Sequence, residues 1–493
     1  MKRIFIYGFT ALLLLSSCSD WLNVMPKEQT SAKDLFTTYD GYCDALNGCY
    51  IKLKDRSLYG EKLTMGDIEY LGQLWRTPRE VTAVAHEIKN FNYAGDYTKS
   101  MINTVYANLY NIIAQANMII NSMPEYGSAI GVASKRAVIE GEALAIRAFC
   151  HFDILRLFGQ LPQNGTLTVS LPYAETVSPF AYAPYYNYND FVKKIEDDLL
   201  RAISLLQDND PLFSLTYGQL TGTDEPDQFM RFRQSRFSYW AVKALQARFY
   251  LYTGAKDKAY AAAKSVVEAT GADGNPLLTL SGLDDMVNNY HACPSEALMQ
   301  LNVYNIMDYA VSVLGTGMGM VVSSNNLVLA YDMYEALFQG YELSNRARGV
   351  WDPTYTDFDG DRYAIFLKYY YNTAQSASTV VELTKRQVVP ILRLSEMYLI
   401  LLETTTDLAE ANSRWYEYLI SHGINPSLIT PFTSLTEVMT EVVKLYRIEL
   451  AGEGQLFYMY KRMGSTYMLG RTEAITERNY IAPLPETEFN PNL

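Results

Sequence analysis

The stretch that most constrains the fold runs from Lys135 to Pro162 and reads KRAVIEGEALAIRAFCHFDILRLFGQLP. Its apolar residues recur every three or four positions, which is the spacing of one face of a helix. Gly159, followed closely by a proline, predicts where that helix ends. Arg147 and His151 lie within this apolar pattern, and a buried cation usually meets a carboxylate or a helix end. The stretch therefore predicts a packing helix of the core.

Two other stretches predict pairs of short helices. Within 236–267, Ala247, Tyr250, Gly254 and Ala259 have the small, large, glycine and alanine spacing of a tetratricopeptide unit. Residues 392–414 predict a second pair. Further helices are predicted over 32–54, 101–123, 191–206 and 438–462.

Residues 268–390 lose the helical period and are rich in Gly, Asn and Tyr, with short strand-like runs at 303–309, 318–322 and 363–371. We therefore predict a mainly α fold. A tetratricopeptide-like scaffold of helical pairs occupies about 18–267 and 391–493, and a loop-rich, irregular insert occupies about 268–390. Residues 58–94 form a second irregular excursion, and such excursions are often functional.

The N-terminus predicts an exported, lipid-anchored protein. Lys2 and Arg3 precede a short apolar run, and small residues then lead to Cys18. This order predicts a signal peptide over 1–17 and lipidation at Cys18. The alternative is an ordinary signal peptide that happens to contain a cysteine.

Charge and cysteine content exclude some classes of protein. The chain carries 41 basic and 54 acidic residues, a net charge of −13, with no basic cluster after the first three residues. Nucleic-acid binding needs such a cluster. Cys43, Cys49, Cys150 and Cys293 are scattered, which favours buried thiols over a disulfide framework.

The signature R-A-x-x-E-G-E-A-L-A-I-R-A-F-x-x-F-x-x-L-x-x-F-G-x-L-P, at 136–162, resembles the signature helix of the SusD/RagB family. Other stretches are similar to motifs of that family and follow in the same order, at 20–26, 110–117, 198–202, 392–414, 446–454 and 481–491. The resemblance runs from Cys18 to Pro491 and leaves 58–94 and the insert unmatched.

The resemblance implies a function and a location. SusD/RagB proteins are outer-membrane lipoproteins that capture nutrients for a TonB-dependent transporter. By resemblance, residues 18–493 would form a single SusD-like domain, lipid-anchored at the cell surface, with a SusC-like β-barrel as its partner. The ligand would be an oligosaccharide; RagB-like capture of peptides is the alternative. No ligand contact transfers residue by residue.

The chain shows no catalytic or metal-binding pattern, so we predict a binding protein without a cofactor. Its four histidines have no metal-ligand spacing, and no G-x-S-x-G motif occurs. The acidic run 357–361 is similar to a calcium loop but lacks its glutamate, and a solvated turn is favoured. The acid pairs Glu140/Glu142 and Glu449/Glu453 are expected to serve as partners of arginines 147, 447 and 462.

Trp75 is the leading candidate for a ligand contact, because it lies in the irregular excursion beside Arg76 and near Tyr70. Sugar C–H faces stack on such rings. The equal alternative is that Trp75 fixes its loop to the core. The chain has 40 tyrosines, which suit polar ligands. Further candidates in the insert are Tyr304, Asn305, Trp351 and Tyr355.

Overall fold

The structure is a computed structural model that describes residues 32–77, 86–177, 182–222, 224–315, 326–357, 359–371 and 380–489. The predicted signal peptide and Cys18 lie outside these residues. Within the described part of the chain, no helix is both long and apolar enough to span a membrane. The predicted domain bounds stay a prediction.

Helices dominate the fold. Those before the insert are α1 (Ala32–Leu35), α2 (Tyr39–Leu53), α3 (Asp67–Leu71), α4 (His86–Lys89), α5 (Asp96–Tyr126), α6 (Ala133–Phe158), α7 (Tyr188–Leu206), α8 (Tyr239–Thr253) and α9 (Lys256–Val267). Those after them are α10 (Leu283–Val287), α11 (Ile306–Leu314), α12 (Tyr331–Phe338), α13 (Asn345–Gly349), α14 (Val380–Arg386), α15 (Leu394–Thr404), α16 (Leu408–Ser421), α17 (Leu435–Glu449), α18 (Leu456–Met463) and α19 (Glu486–Phe489).

Helix α6 is the centre of the core. Every residue from Val138 to Phe158 is buried, and a helix that is buried all round must be enclosed by its neighbours. Helices α5 and α7 flank it, and the array continues through α8, α9, α15 and α17. The predicted core packing helix and its end before Gly159 are confirmed.

Both predicted helical pairs are present. Helix α8 ends at Gly254, whose φ of +83° is the left-handed conformation that suits a glycine C-cap. Helix α9 then folds back against α8, and α15 and α16 form the second pair. The mainly α, tetratricopeptide-like fold class is therefore confirmed.

Short antiparallel sheets accompany the helices. Strands β1 (Leu171–Pro172) and β2 (Tyr185–Tyr186) pair with each other. Strand β3 (Ala297–Asn302) pairs with β7 (Val388–Arg393), joining Asn302 to Val388 at one end. The third sheet has the order β4 (Leu329–Ala330), β6 (Arg362–Phe366), β5 (Trp351–Thr356), with Leu329 opposite Ala364 and Trp351 opposite Phe366.

The insert is more regular than predicted, since it contains helices α10 to α14 and strands β3 to β6. The strand predicted over 303–309 is wrong, because this segment turns into α11 at Ile306. The run at 318–322 lies outside the described residues. The run at 363–371 is a strand only to Phe366.

The four cysteines after Cys18 are buried and free, which confirms the predicted core thiols. Burial raises the pKa of the Cys49 thiol to about 12 and that of Cys293 to about 11. These thiols are protonated at neutral pH and pack as small apolar groups.

Candidate functional site

The leading candidate of the sequence, Trp75, lies in the core. Its side chain is 0 % exposed, and its ring stacks on Trp351 with centroids 5.3 Å apart and planes inclined at 23°. Trp351 is 3 % exposed and Tyr70 is 6 % exposed. A buried ring cannot present a face to a sugar. The prediction that these three residues contact a ligand is therefore wrong for this structure, and Trp75 instead fixes its loop to the core.

The loop of Trp75 is fastened by the carboxylate of Glu69. This carboxylate accepts hydrogen bonds from the Trp75 indole N–H and from the backbone N–H groups of Gly452 (3.1 Å) and Gly454 (2.7 Å). Burial raises the pKa of Glu69 to about 7, although these donors and Lys368 oppose the shift. Glu69 thus ties the first irregular excursion to the segment after α17.

The backbone of Arg76 continues from this anchor to the edge of the third sheet. Its N–H donates to the Val328 carbonyl, and the Val328 N–H donates to the Arg76 carbonyl, each at 2.9 Å. The Arg76 side chain is exposed. Val328, Tyr363 and Ile365 form a small apolar cluster, separate from the main core, on which half-buried Tyr355 packs.

We call Arg76, Tyr355, Asp357 and Tyr363 the tyrosine face. The rings of Tyr355 and Tyr363 lie 6.4 Å apart between centroids. Burial raises the pKa of Tyr363, the negative charges of Asp357 and Asp361 add to the rise, and Arg76 opposes it. Tyr363 is only 8 % exposed and serves as support, so half-buried Tyr355 is the ring that can offer an apolar face to a sugar. Arg76 and Asp357 add hydrogen-bonding groups beside it.

Asp357 also forms the turn between β5 and β6. Its Oδ1 accepts hydrogen bonds from the backbone N–H groups of Asp359 (3.0 Å) and Asp361 (2.9 Å). Gly360, at φ +90°, completes the turn. The predicted solvated turn is confirmed, and it holds Asp357 at the end of the tyrosine face.

Tyr304 and Asn305 lie on another element, the loop between β3 and α11. The Tyr304 side chain is 79 % exposed. The structure therefore leaves four candidates accessible on three elements: Arg76 on the first irregular excursion, Tyr355 on β5, and Tyr304 with Asn305 on the loop before α11. Tyr363 and Asp357 were not among the predicted site residues. No alternating pattern marked them, because the strand after the acidic turn is buried from Tyr363 to Phe366.

A network of six buried charged side chains lies between the insert and the C-terminal helices: Glu296, Arg346, Lys368, Arg393, Glu449 and Glu453. Arg393 pairs with all three glutamates, at 2.5 Å to Glu449 and 2.6 Å to Glu453. His422 Nε2 lies 2.9 Å from Glu449. Three cations balance three carboxylates, so these six side chains compensate one another's charge and their role is structural.

The acid pairs therefore have structural partners, but the predicted partners are wrong. Glu142 pairs with buried Arg233 at 2.5 Å, and Arg147 pairs with Asp198 at 2.5 Å. Arg462 pairs with Glu403 at 2.5 Å. Each pair joins different helices or loops, because the folded chain brings together charges that helical spacing does not.

Three comparisons relate this chain to known proteins. Residues 51–216 match a SusD-like family model described as starch-binding and associating with the outer membrane. A SusD-like protein P2 from Formosa agariphila is 24% identical, and the alignment covers 100% of this chain and 99% of that protein.

Solved structures share the fold. A SusD superfamily protein from Bacteroides thetaiotaomicron has a TM-score of 0.68 at 21% identity, covering 92% of this chain and 98% of that chain. A laminarin-binding SusD-like protein has a TM-score of 0.63 at 18% identity, covering 92% and 97%. A family model, a full-length relative and the fold thus agree, and the resemblance of this chain to the SusD family is confirmed.

Proposed function

We propose that this protein captures an oligosaccharide at the cell surface and delivers it to a TonB-dependent transporter of the outer membrane. The description of the matching family model, starch-binding and associating with the outer membrane, supports this proposal. So does the name of the laminarin-binding structure that shares the fold.

The observation that carries the proposal is the tyrosine face. Half-buried Tyr355 and exposed Arg76 are accessible, while Tyr363 and Asp357 fix their surroundings. Behind this sheet, the ring of Phe366 lies 5.2 Å from that of Trp75, so the face rests on a packed aromatic core. Rigid support reduces the entropy lost on binding.

We propose further contacts from Tyr304 and Asn305, on the loop before α11. Exposed tyrosine and asparagine side chains can supply a ring and an amide to a sugar ligand. The lipid anchor at Cys18 and the SusC-like partner are also part of the proposal, and they rest on the family resemblance. A protein held at the membrane by a lipid could remain beside its transporter.

The peptide alternative gains no support from the relatives named above. The test is a binding screen of the full-length chain against starch, laminarin and other glycans, with a peptide panel beside them. We expect saturable binding to an oligosaccharide. Binding to peptides alone, or to neither panel, would refute the proposed ligand class.

A further inference from the structure

A cavity of ≈ 410 Å³ opens between α2, the segment 228–236, the end of β3 and α14. Its lining includes three cations, Lys54, Arg231 and Arg236, and three aromatic rings, Tyr50, Phe229 and Phe232. Among the described residues that line it, none is a carboxylate. In a chain with 54 acidic and 41 basic residues, such a lining is distinctly basic.

Arg236 is held in position at this cavity. Its Nη2 donates to Asn47 Oδ1 at 2.8 Å, and its Nη1 donates to Glu142 Oε2 at 3.2 Å. Its guanidinium carbon lies 3.9 Å from the centroid of the Phe229 ring. These two hydrogen bonds engage a minority of the guanidinium N–H groups, so the side chain is fixed and can still donate to a ligand.

The backbone of Phe232, on the cavity wall, has an unusual conformation. Its φ of 54° and ψ of 49° are left-handed, an outlier for a bulky side chain. Its N–H donates to the Leu220 carbonyl at 3.0 Å. The following residue, Arg233, enters the core and pairs with Asp210 and Glu142. The turn thus places an aromatic ring on the cavity wall and a buried cation behind it.

These features together define a ligand class. The cations attract an anionic group, and the phenylalanine rings offer faces for the C–H groups of a sugar ring. Amide groups of Asn47 and Asn302, which also line the cavity, can bond hydroxyl groups. The volume lies in the usual range for a small-molecule site.

We propose that this cavity binds an anionic pyranose, with its carboxylate or sulfate group near Lys54, Arg231 and Arg236 and its ring against Phe229 and Phe232. The inference extends the proposed function by naming an acidic sugar as a ligand, and it uses residues separate from the tyrosine face. The two sites can therefore be tested independently.

The test is calorimetric titration of the full-length chain with galacturonate, galactose 6-sulfate and neutral galactose. We expect at least one anionic sugar to bind about tenfold more tightly than galactose, because bonds to charged groups are the stronger ones. Added salt should weaken that binding. The double variant Lys54→Gln/Arg231→Gln should lose about tenfold in affinity. The matched control is Lys52→Gln, an exposed lysine on the same helix that does not line the cavity.

Three results would overturn the inference: no binding of either anionic sugar, equal binding of galactose, or unchanged binding by the double variant. The variant Tyr355→Ala separates the two sites. It should leave galacturonate binding unchanged, and a loss would place the acidic sugar on the tyrosine face instead. Binding of galacturonate by a chain that fails the oligosaccharide screen would support the cavity and refute only the proposed function.

Discussion

The indole ring of Trp75 stacks on that of Trp351, with centroids 5.3 Å apart, although Trp75 lies in the first irregular excursion and Trp351 begins strand β5 of the insert. The contact joins the first irregular excursion to the insert, the two parts that carry the proposed sugar contacts. We therefore assign both tryptophans a supporting role beneath the tyrosine face.

We predict that Trp75→Ala lowers the free energy of unfolding by about 3–5 kcal/mol, because it empties a large volume in a packed core. Denaturant unfolding followed by circular dichroism measures the loss. The control is Tyr467→Ala, which removes a ring that is 57 % exposed and should change stability little. Equal stability of the Trp75 variant and the wild type would contradict the buried position of this ring.

The buried charge network predicts a second stability effect. Burial alone would raise the pKa of Glu449, but Arg346 and Arg393 hold it well below its usual value. Glu449→Gln removes the negative charge that compensates these two buried cations. It should therefore lower the free energy of unfolding by about 3–5 kcal/mol.

The control for this network is Asp197→Asn, which removes an exposed pair with Lys193 at 2.8 Å. That change should lower the free energy of unfolding by less than about 1 kcal/mol, because exposed ion pairs contribute little to stability. If denaturant titrations give similar losses for both variants, the network does not have the stabilising role that its burial indicates.

Glu69 predicts a pH dependence. Burial raises its pKa to about 7 from an ordinary value of 4.5. The folded state therefore keeps a proton that the unfolded state loses, and this contribution to stability declines as pH rises from 4.5 to 7. The shift corresponds to a change on the order of 3 kcal/mol. We predict that the stability of the wild type relative to Glu69→Gln falls across this window. A constant difference between pH 4.5 and 8 would argue against the raised pKa.

Gly254 predicts a specific backbone effect at the turn between α8 and α9. Gly254 and Gly464 are both helix C-caps in the left-handed conformation, with φ of +83° and +58°. A Cβ at Gly464 would meet only Leu161, at 3.8 Å, whereas one at Gly254 would lie 1.9 Å from Gln163 Nε2. Gly464→Ala should therefore lower the free energy of unfolding by about 1 kcal/mol from backbone strain alone, and Gly254→Ala should lower it more. Thermal unfolding of the two variants measures the difference, and equal losses would show that Gln163 moves aside freely.

Local patterns predicted the helices well. The period of apolar residues located α6, and Gly254 marked the turn of a helical pair, because both signals depend on neighbouring residues. Contacts between residues that are distant in the sequence could not be predicted from such local patterns. Arg393 meets Glu449 and Glu453 only after the chain folds, and no local spacing encodes that meeting.

The candidate site was predicted in part. The excursion of Arg76 and the insert of Tyr355 each held a predicted candidate, and their meeting at one sheet was not predicted. Periodicity could not decide whether Trp75 faced solvent or the core, because an irregular segment has no face to assign. The orientation of Trp75 depends instead on the edge of the sheet. Arg76 pairs with Val328 there, and this pairing directs the ring of the preceding residue, Trp75, toward the core.

The most direct measurement of the central claim is the affinity of the full-length chain for its best glycan, compared with that of Tyr355→Ala. We predict about a tenfold loss, because aromatic anchors dominate such contacts. Tyr416→Ala, which removes a tyrosine that is 45 % exposed on α16, should bind like the wild type. Unchanged affinity in Tyr355→Ala, with the fold intact by circular dichroism, would contradict the proposal that the tyrosine face binds the sugar.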